Sequence, residues 1–339
     1  MIPIMSNINR SRFVTCFQLI CWTVVITLVV YWIYVFSQNE DLSVVEYRKY
    51  YETESDVWPM LTICLKNPMI NERFNNHDYG INQTTYLQFL KGNDFNQEFL
   101  SINYENVTIN LNEYVVSTWI SWRNGSSVSG NHKKVLTHSY VVSRFDRFYD
   151  CYTLQVPHNK QIRTFYVLLK ASVFTFLNQT PNYDMLAALH YPNHFLTMKN
   201  IKYTFPKRDY TDNFEMEFQV EGMEVINRRN KANRPCYDDW KNYDQGILTK
   251  HIQNVGCRAP YHGFDPDIRL CSTKQEMKNV VWDQIKEAYD KIPSCKTMTK
   301  LSYIYQELSL EGTKYSAKDH IWIGISHLDD EFKEILQTR

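Results

Sequence analysis

The chain has 339 residues, with 37 Lys and Arg against 37 Asp and Glu, so its formal net charge at pH 7 is zero. This balance gives no overall positive field that would attract nucleic acid, and we expect no nucleic-acid partner. The 24 Tyr, 18 Phe and 8 Trp, beside only 10 Gly and 11 Pro, indicate a densely packed, strand-rich globular body rather than a disordered chain.

Residues 13–36 contain no charged side chain. At about 1.5 Å rise per residue, a helix of this length spans a hydrocarbon core of roughly 30 Å. A cleaved signal peptide is the alternative, but its apolar region is only about 7–15 residues long and ends at small residues. Here Phe36 is followed by Ser-Gln-Asn. The sequence therefore predicts a retained transmembrane helix in a lipid bilayer.

The orientation of this helix follows from charge and from glycosylation sequons. Arg10 and Arg12 lie just before the helix, which favours a cytoplasmic N-terminus. Four Asn-x-Ser/Thr sequons lie on its C-terminal side, and their acceptors are Asn82, Asn106, Asn124 and Asn178. We expect residues 1–12 to be cytoplasmic and residues 37–339 to be extracellular and glycosylated, in a protein of the plasma membrane.

The extracellular part begins with segments that read as strands and one polar insertion. Residues 56–68 read as an extended segment, and residues 75–135, rich in Asn, Ser and Thr, as a peripheral region. Residues 163–177 predict one or two buried strands. Residues 214–226 alternate between apolar and mostly acidic side chains, which predicts a half-exposed strand.

After Pro235 the apolar period changes to that of helices. Apolar spacing predicts one helix over residues 238–252 and a second over residues 274–292, which ends before Pro293. Together they predict a helical hairpin. Strand-like segments return at 301–310 and 320–328, and a charged segment follows them.

The hairpin determines the expected disulfides. Cys16 and Cys21 lie in the membrane helix as free thiols, which leaves six cysteines in an oxidising compartment. A helix of this length is roughly 22 Å long, whereas bridged Cα atoms lie about 5.5–6 Å apart, so Cys236 cannot pair with Cys257 across it. The expected pairs are the nested Cys236–Cys295 and Cys257–Cys271, and by elimination Cys64–Cys151.

No catalytic motif is visible. The sequence lacks a G-x-S-x-G elbow, an H-E-x-x-H zinc helix and a glycine-rich phosphate loop, so we expect neither an enzyme nor a cofactor. Each other candidate has an ordinary structural explanation that we prefer to a metal, proton or calcium site. These candidates are the pair His190 and His194, the pair Cys257 and His262, the acidic start of the first hairpin helix at Asp238 and Asp239, and the acidic run Asp329, Asp330 and Glu331.

The densest basic cluster consists of Arg228, Arg229, Lys231 and Arg234. It fits an anion or ligand patch, and it also fits a solvated turn, which we take as the simpler interpretation.

Six segments of the sequence carry recognisable motifs. The segment WPMLTICLKNP (58–68) resembles the aromatic-Pro-x-x-Thr-Ile-Cys-x-x-Asn-Pro segment that follows the first membrane helix of epithelial sodium channels, degenerins and acid-sensing channels. CYTLQ is similar to the family's Cys-Tyr-Thr-hydrophobic-Asn, with Gln155 in place of Asn. The cysteine-rich landmarks follow in the family's order. In this sequence the motifs are WPMLTICLKNP (58–68), CYTLQ (151–155), RPCYDDW (234–240), GCRAPY (256–261), LCSTKQEM (270–277) and PSCKTM (293–298).

The resemblance covers about residues 13–339 and implies an α+β fold. Its parts would be a β-strand palm, a peripheral finger and knuckle over about residues 75–135, and a disulfide-clamped helical thumb over about residues 236–295. It implies a homo- or heterotrimer with related subunits that conducts sodium ions, responds to a ligand or another stimulus and is often blocked by amiloride. The family's bridges correspond to the three pairs above.

The sequence departs from the family in three respects. The thumb has fewer cysteines than that of acid-sensing channels, and a His-Gly motif before the first helix is absent. The family's second membrane helix, which carries the selectivity filter, is not found before Arg339, so we expect a fragment or a truncated subunit. The alternative function is that of a single-pass membrane glycoprotein acting as a receptor, adhesion module or regulatory subunit without conduction.

Overall fold

The structure is a computed structural model of the whole chain. The residues that it describes are 4–39, 43–49, 58–66, 68–76, 82–130, 135–144, 147–154, 156, 162–170, 172–175, 185–192, 194, 203–204, 214–232, 234–262, 267–281, 293–309, 320–327 and 331–337.

The described residues form seven α-helices and thirteen strands. The helices are α1 (Ile4–Asn39), α2 (Asn71–Asn76), α3 (Gln83–Leu90), α4 (Tyr104–Val107), α5 (Ser172–Thr175), α6 (Tyr243–Val255) and α7 (Lys274–Val280). The strands are β1 (Ser43–Lys49), β2 (Met60–Lys66), β3 (Val115–Trp122), β4 (Ser127–Gly130), β5 (Leu136–Arg144), β6 (Arg147–Leu154), β7 (Ile162–Lys170), β8 (Met185–His190), β9 (Tyr203–Thr204), β10 (Phe214–Arg228), β11 (Lys296–Ser309), β12 (His320–His327) and β13 (Glu331–Gln337). The fold is mixed α+β, as the sequence predicts.

The chain divides into two compact units, Met1–Val44 with Gln337–Arg339, and Val45–Leu336. The first unit contains α1, and its segment Val14–Val35 is long and apolar enough to cross a membrane. The hydroxyl groups of Thr23 and Thr27 donate to carbonyls of the preceding turn at 2.8 Å, so both groups are satisfied within the helix. By length and composition, α1 fits a membrane anchor or a signal sequence.

The second unit contains two sheets. The eight-stranded sheet has the order β1-β13-β10-β12-β7-β3-β4, with β11 paired to β10 outside this order, and the five-stranded sheet has the order β5-β6-β2-β8-β9. Strands β10 and β12 run parallel, whereas β2 runs antiparallel to both of its neighbours.

Alternation along β2 assigns its two faces to two hydrophobic cores. Leu61, Ile63 and Leu65 belong to a cluster shared with the eight-stranded sheet, for example with Ile323 of β12; we call this cluster the inter-sheet core. Cys64 belongs to a second cluster. Because successive side chains of a strand point to opposite faces, the five-stranded sheet is covered on both sides.

The second cluster, which we call the helix-facing core, joins three parts of the chain. It contains Tyr86 and Phe89 of α3, Cys151 of β6, and Tyr243 and Ile252 of α6. Full burial of large apolar side chains stabilises the fold by roughly 1.5–3 kcal/mol each. The helices are therefore held to the sheet mainly by aromatic burial.

The strand predicted over residues 214–226 is confirmed as β10, but its polar face is not fully exposed. Met216 and Phe218 are buried as expected. Glu217 is buried as well, since the hydroxyl of Ser326 donates to its carboxylate at 2.6 Å. A neighbouring strand on each side, rather than a sheet edge, explains why this acidic residue has little contact with water.

The helix predicted over residues 238–252 is present with shifted ends. A 3-10 helix, Trp240–Asn242, comes first, and α6 continues to Val255. Gly256 then adopts φ +77°, and its amide donates to the carbonyl of Ile252 at 2.9 Å, which ends the helix. Three residues of the predicted apolar face are buried: Tyr243, Ile247 and Ile252.

The second predicted helix, residues 274–292, begins at Lys274 as predicted but is interrupted at Val281. The helix α7 ends at Val280, because Val281 has extended dihedral angles of φ −69° and ψ 163°. Val281 is nevertheless buried, so its apolar character reflects packing rather than helical continuation. Residues 282–292 lie outside the described part of the chain.

Three other predicted segments can be compared with the structure. Of the one or two strands expected over residues 163–177, one is present as β7, and Ser172–Thr175 form the short helix α5. Within residues 75–135, β3 pairs with β7, and β4 follows β3 at the end of the strand order of the eight-stranded sheet. The strands expected at 301–310 and 320–328 are present as β11 and β12, and the charged segment after them contains a further strand, β13.

A buried glutamate explains why β13 is hard to predict. Glu334 is only 2% exposed, and its carboxylate lies 3.1 Å from Arg48 Nε and 3.8 Å from Lys296 Nζ. Asn227 also donates to it at 3.4 Å. Side chains from three other strands thus compensate the charge of Glu334 and allow a charged segment to enter the sheet.

Candidate functional site

Three disulfides join the pairs that the sequence predicts. Cys64 lies opposite Cys151 in the antiparallel register of β2 and β6, with 3.9 Å between the Cα atoms. In the other two disulfides, Cys236–Cys295 and Cys257–Cys271, the Cα atoms are 4.9 Å apart. This geometry requires that the chain returns to Cys236 after α7, as a hairpin does.

The two nested disulfides hold both ends of the pair formed by α6 and α7, which we call the helical pair. Beside Cys236, the amide of Cys295 donates to the carbonyl of Tyr237 at 3.0 Å. At the other end, the amide of Cys271 donates to the carbonyl of Arg258 at 3.0 Å. Each disulfide is therefore accompanied by a backbone hydrogen bond, one where the chain enters α6 and meets Cys295, the other between the end of α6 and the start of α7.

Ring contacts connect the helical pair with the rest of the helix-facing core. Tyr243, the first residue of α6, stacks on His194 with 4.9 Å between ring centroids. Beyond α6, Tyr261 lies edge-on to Phe148 of β6 at 5.4 Å and to Tyr104 of α4 at 6.1 Å. Such contacts contribute about 0.5–1.5 kcal/mol each beyond their burial. A displacement of the helical pair would therefore disturb the sheet.

A chain of polar side chains crosses the five-stranded sheet, with one residue from each of four neighbouring strands. Thr153 Oγ1 of β6 lies 3.0 Å from Ser139 Oγ of β5 and 2.6 Å from Thr62 Oγ1 of β2. Thr62 Oγ1 in turn lies 2.6 Å from His190 Nε2 of β8. We call these four residues the polar chain. It satisfies polar groups that burial would otherwise penalise.

The protonation of His190 follows from its neighbours. Its Nδ1 lies 2.8 Å from the carbonyl oxygen of Tyr191, which can only accept, so Nδ1 carries the hydrogen. Burial lowers the pKa of His190 to about 4, and the neutral ring accepts the hydroxyl hydrogen of Thr62 at Nε2. His190 is therefore a structural hydrogen-bonding residue, as the simpler interpretation of this histidine requires.

An ion pair lies at the edge strand of the same sheet. His138 Nε2 of β5 contacts Asp150 Oδ1 of β6, where Asp150 is 1% exposed and the His138 side chain 41% exposed. Burial by itself lowers the pKa of His138, but the charge and hydrogen bond of Asp150, with a smaller effect of Glu105, raise it overall. Burial and then the charge of Asp150 raise the pKa of the nearby Tyr104 well above its usual value.

Three of the four predicted glycosylation sites lie among the described residues, and all three are exposed: Asn82, Asn106 and Asn124. Asn82 caps α3 by accepting the amide of Thr84 at 2.7 Å. Asn124, in the turn between β3 and β4, accepts the amide of Ser126 at 3.0 Å. Both hydrogen bonds are accepted by Oδ1 of the asparagine. Neither involves the side-chain nitrogen Nδ2, to which a glycan would be attached. Asn178 lies outside the described residues.

The structure does not bring the candidate metal-binding histidines into a metal-binding arrangement. Both ring nitrogens of His190 have protein partners, and the ring of His194 lies between Tyr191 and Tyr243. Cys257 is bonded to Cys271, and His262 Nδ1 accepts the amide of Ala259 at 3.2 Å.

The acidic candidates have structural partners where they are described. Asp238 accepts from Asn230 at 2.8 Å, and Asp239 accepts from Asn242 at 3.2 Å just before the 3-10 helix. Asp238 also lies near Cys236 and Cys295 in a group of suitable size for a metal ion. The two sulfurs of that group form a disulfide and are not available as thiolate ligands. Glu331 is exposed on β13, while Asp329 and Asp330 lie outside the described residues.

No protein-family model matches this chain, and no curated protein matches it either.

Two contacts of the second unit have almost no signal in the sequence, the pair of His138 and Asp150 and the stacking of His194 on Tyr243. His138 and Asp150 are close together both in the sequence and in the fold, but only the pairing of β5 with β6 places them side by side. His194 and Tyr243 are 49 positions apart in the sequence and meet only in the folded chain. An aspartate directly before a disulfide cysteine was the one visible signal.

Proposed function

We propose that this chain is a subunit of a trimeric, sodium-selective channel of the epithelial sodium channel and degenerin family, gated by a ligand or another stimulus. Its N-terminus would be cytoplasmic, and residues 37–339 would lie outside the plasma membrane. The observation that carries the proposal is the set of three disulfides. Cys64–Cys151 joins the two motif segments that follow α1, and two nested disulfides hold the ends of one helical pair, in the order of the family's landmarks.

The contacts of the second unit support a role in responding to a stimulus. A ligand or force that displaced the helical pair would act on the five-stranded sheet through Tyr243 and Tyr261. The inter-sheet core would pass this displacement to the eight-stranded sheet. That sheet includes β1, which begins at Ser43, whereas α1 ends at Asn39. Only a short stretch of chain separates a sheet strand from the proposed membrane helix.

The composition of α1 favours a second candidate, a single-pass receptor, adhesion or regulatory glycoprotein without conduction. The span Val14–Val35 offers no carboxylate, and the hydroxyls of Thr23 and Thr27 are bonded within the helix. A trimer of α1 alone would lack a ring of carboxylates or carbonyls that replaces the water around a sodium ion. In a channel, the selective groups would have to come from another segment.

Voltage clamp of oocytes that express the complete coding sequence, alone and with related subunits, tests conduction. We expect a sodium-selective current that amiloride blocks, with surface labelling to confirm delivery. Residues 1–339 expressed alone should reach the surface and give no such current. Surface delivery of the complete protein without sodium current under acid, peptide and mechanical stimuli would favour the second candidate.

Glycosidase treatment tests the orientation that both candidates share. We expect the apparent mass to fall, and the fall to disappear when all four sequon asparagines are replaced by Gln. Two results together would contradict an external position of residues 37–339. The mass of the wild-type chain would be unchanged, and external protease would digest the N-terminus both in intact cells and in right-side-out vesicles.

A further inference from the structure

The end of β10 and the turn after it carry four cations, Arg228, Arg229, Lys231 and Arg234, which we call the basic turn. Arg228, Arg229 and Arg234 are exposed, and Lys231 is half-buried. The whole chain has zero formal net charge, so this cluster is a local excess. A short segment rich in Lys and Arg is typical of patches that bind polyanions.

Hydrogen bonds hold the described residues at both ends of the basic turn. The amide of Arg228 donates to the carbonyl of Cys295 at 2.8 Å, and the amide of Arg234 donates to that of Lys231 at 3.1 Å. Asn230, between the cations, accepts the amide of Cys236 at 3.1 Å. Because Cys236 and Cys295 are joined by a disulfide, the turn is attached to a covalently closed base. Little backbone entropy would be lost when a ligand binds.

The two acidic residues that follow the basic turn in the sequence are hydrogen-bonded to side-chain amides. Asp238 accepts from Asn230 at 2.8 Å, and Asp239 accepts from Asn242 at 3.2 Å. Among the described residues, Arg228, Arg229 and Lys231 make no ion pair. Their charges are therefore available to an external anion without the loss of an internal contact.

We propose that the basic turn binds a sulfated polysaccharide of the cell surface or extracellular matrix. Three or four cations on one short, rigid turn match repeated sulfate and carboxylate groups better than a single phosphate ion. The preference for a polysaccharide over nucleic acid rests on the extracellular position proposed above. Binding of a polysaccharide does not require conduction. The binding test can therefore fail while the channel proposal stands, and the channel proposal can fail while the basic turn still binds the polysaccharide.

The experiment uses the full chain, purified in a nonionic detergent and bound to immobilised heparin. The test variant is Arg228→Ala, Arg229→Ala, Lys231→Ala. The matched control is Lys250→Ala, Lys274→Ala, Lys278→Ala, which removes the same charge from exposed positions of the helical pair. Equal thermal unfolding of the three proteins verifies that they are folded.

We expect the test variant to elute at lower salt than the wild-type chain, with an affinity lower by about tenfold or more near physiological salt. The slope of log affinity against log salt should fall by about 2 to 3, one for each lost contact, whereas the control variant should behave as the wild-type chain does. Should the triple variant not fold, Arg229→Gln compared with Lys274→Gln carries the same test with a smaller shift.

Equal elution of the wild-type chain and the test variant would overturn the proposal, as would an equal loss in the control. Heparin without its sulfate groups should compete poorly, and a homopolymer RNA should compete less well than heparin. Competition by RNA equal to that by heparin would overturn the polysaccharide assignment and leave a nonselective polyanion surface.

Discussion

The inter-sheet core and the helix-facing core cover opposite faces of the same five-stranded sheet, but different interactions stabilise them. The inter-sheet core consists mainly of aliphatic side chains from two sheets, such as Ile63 and Ile323. The helix-facing core contains Cys64, Cys151, Cys257 and Cys271 among its aromatic residues. The polar chain also lies on the face of the helix-facing core, since Thr62 and His190 alternate along their strands with aliphatic residues of the inter-sheet core.

This difference separates a core that depends mainly on burial from one that also depends on redox state. Hydrophobic burial between sheets changes little with pH or reductant. A face held by disulfides responds to reductant. The pH-sensitive pair of His138 and Asp150 lies at the sheet edge instead, where His138 contacts Tyr152 of the inter-sheet core. Under the proposed function, the helices on the face held by disulfides would receive the stimulus.

The largest expected effect is the loss of the cross-strand disulfide. Replacing Cys64 and Cys151 together by Ala opens a connection between residues 87 positions apart. By loop entropy we expect the free energy of unfolding to fall by about 4–5 kcal/mol. Chemical denaturation of the purified full chain, followed by tryptophan fluorescence, measures this change, and reductant should then destabilise the variant less than the wild-type chain.

The control for this prediction is the disulfide at the far end of the helical pair. Cys257→Ala with Cys271→Ala opens a connection of only 14 positions, and we expect a loss of about 3 kcal/mol. Hydrogen exchange should show the loss of protection mainly around the end of α6. A larger loss from this variant than from the cross-strand variant would contradict a sheet fixed by Cys64–Cys151.

A smaller, pH-dependent effect is expected from Asp150→Asn. The pKa of His138 is raised in the folded chain, so the pair stabilises the fold fully below the ordinary histidine pKa of about 6.5. That stabilisation is lost as the pH rises through the raised pKa. Near pH 6 we expect Asp150→Asn to lower the free energy of unfolding by about 2 kcal/mol.

The same denaturation curves, recorded from pH 5.5 to pH 9, provide the control. His138→Gln should remove the same part of the pH dependence, because either substitution breaks the pair. Glu105 also faces His138, and Glu105→Gln should reduce this dependence only slightly. Identical pH profiles for Asp150→Asn and the wild-type chain would show that another group causes the dependence.

Local pattern and covalent geometry explain what the sequence predicts well. The apolar span of α1, the alternation of β10 and the period of α6 are each visible within one segment, and the disulfides follow from the length of a helix. The strand β13 was missed because Glu334 is buried only through Arg48 and Lys296 of other strands. The early end of α7 was missed because burial gives Val281 the same apolar character in either conformation. The pair of His138 and Asp150 depends on strand register, which composition does not encode.

The smallest effect is expected in the inter-sheet core, from Ile323→Val. Ile323 is fully buried on β12, between Met216 of β10 and Val167 of β7 in the strand register. Valine keeps the β-branched shape that suits a strand, so the substitution removes one methyl group and little else. We expect the free energy of unfolding to fall by about 1 kcal/mol.

Ile323→Val distinguishes the two cores because its effect on the free energy of unfolding should not depend on reductant or pH. The loss should be the same with and without reductant and across pH 5.5 to 9, since no titrating group or disulfide of the helix-facing core takes part. Combined with the double substitution of Cys64 and Cys151, it should add to that loss within about 0.5 kcal/mol, as expected of sites without shared partners. A marked departure from additivity would mean that the two sites share a partner or a backbone shift, so that the two cores are not independently stabilised.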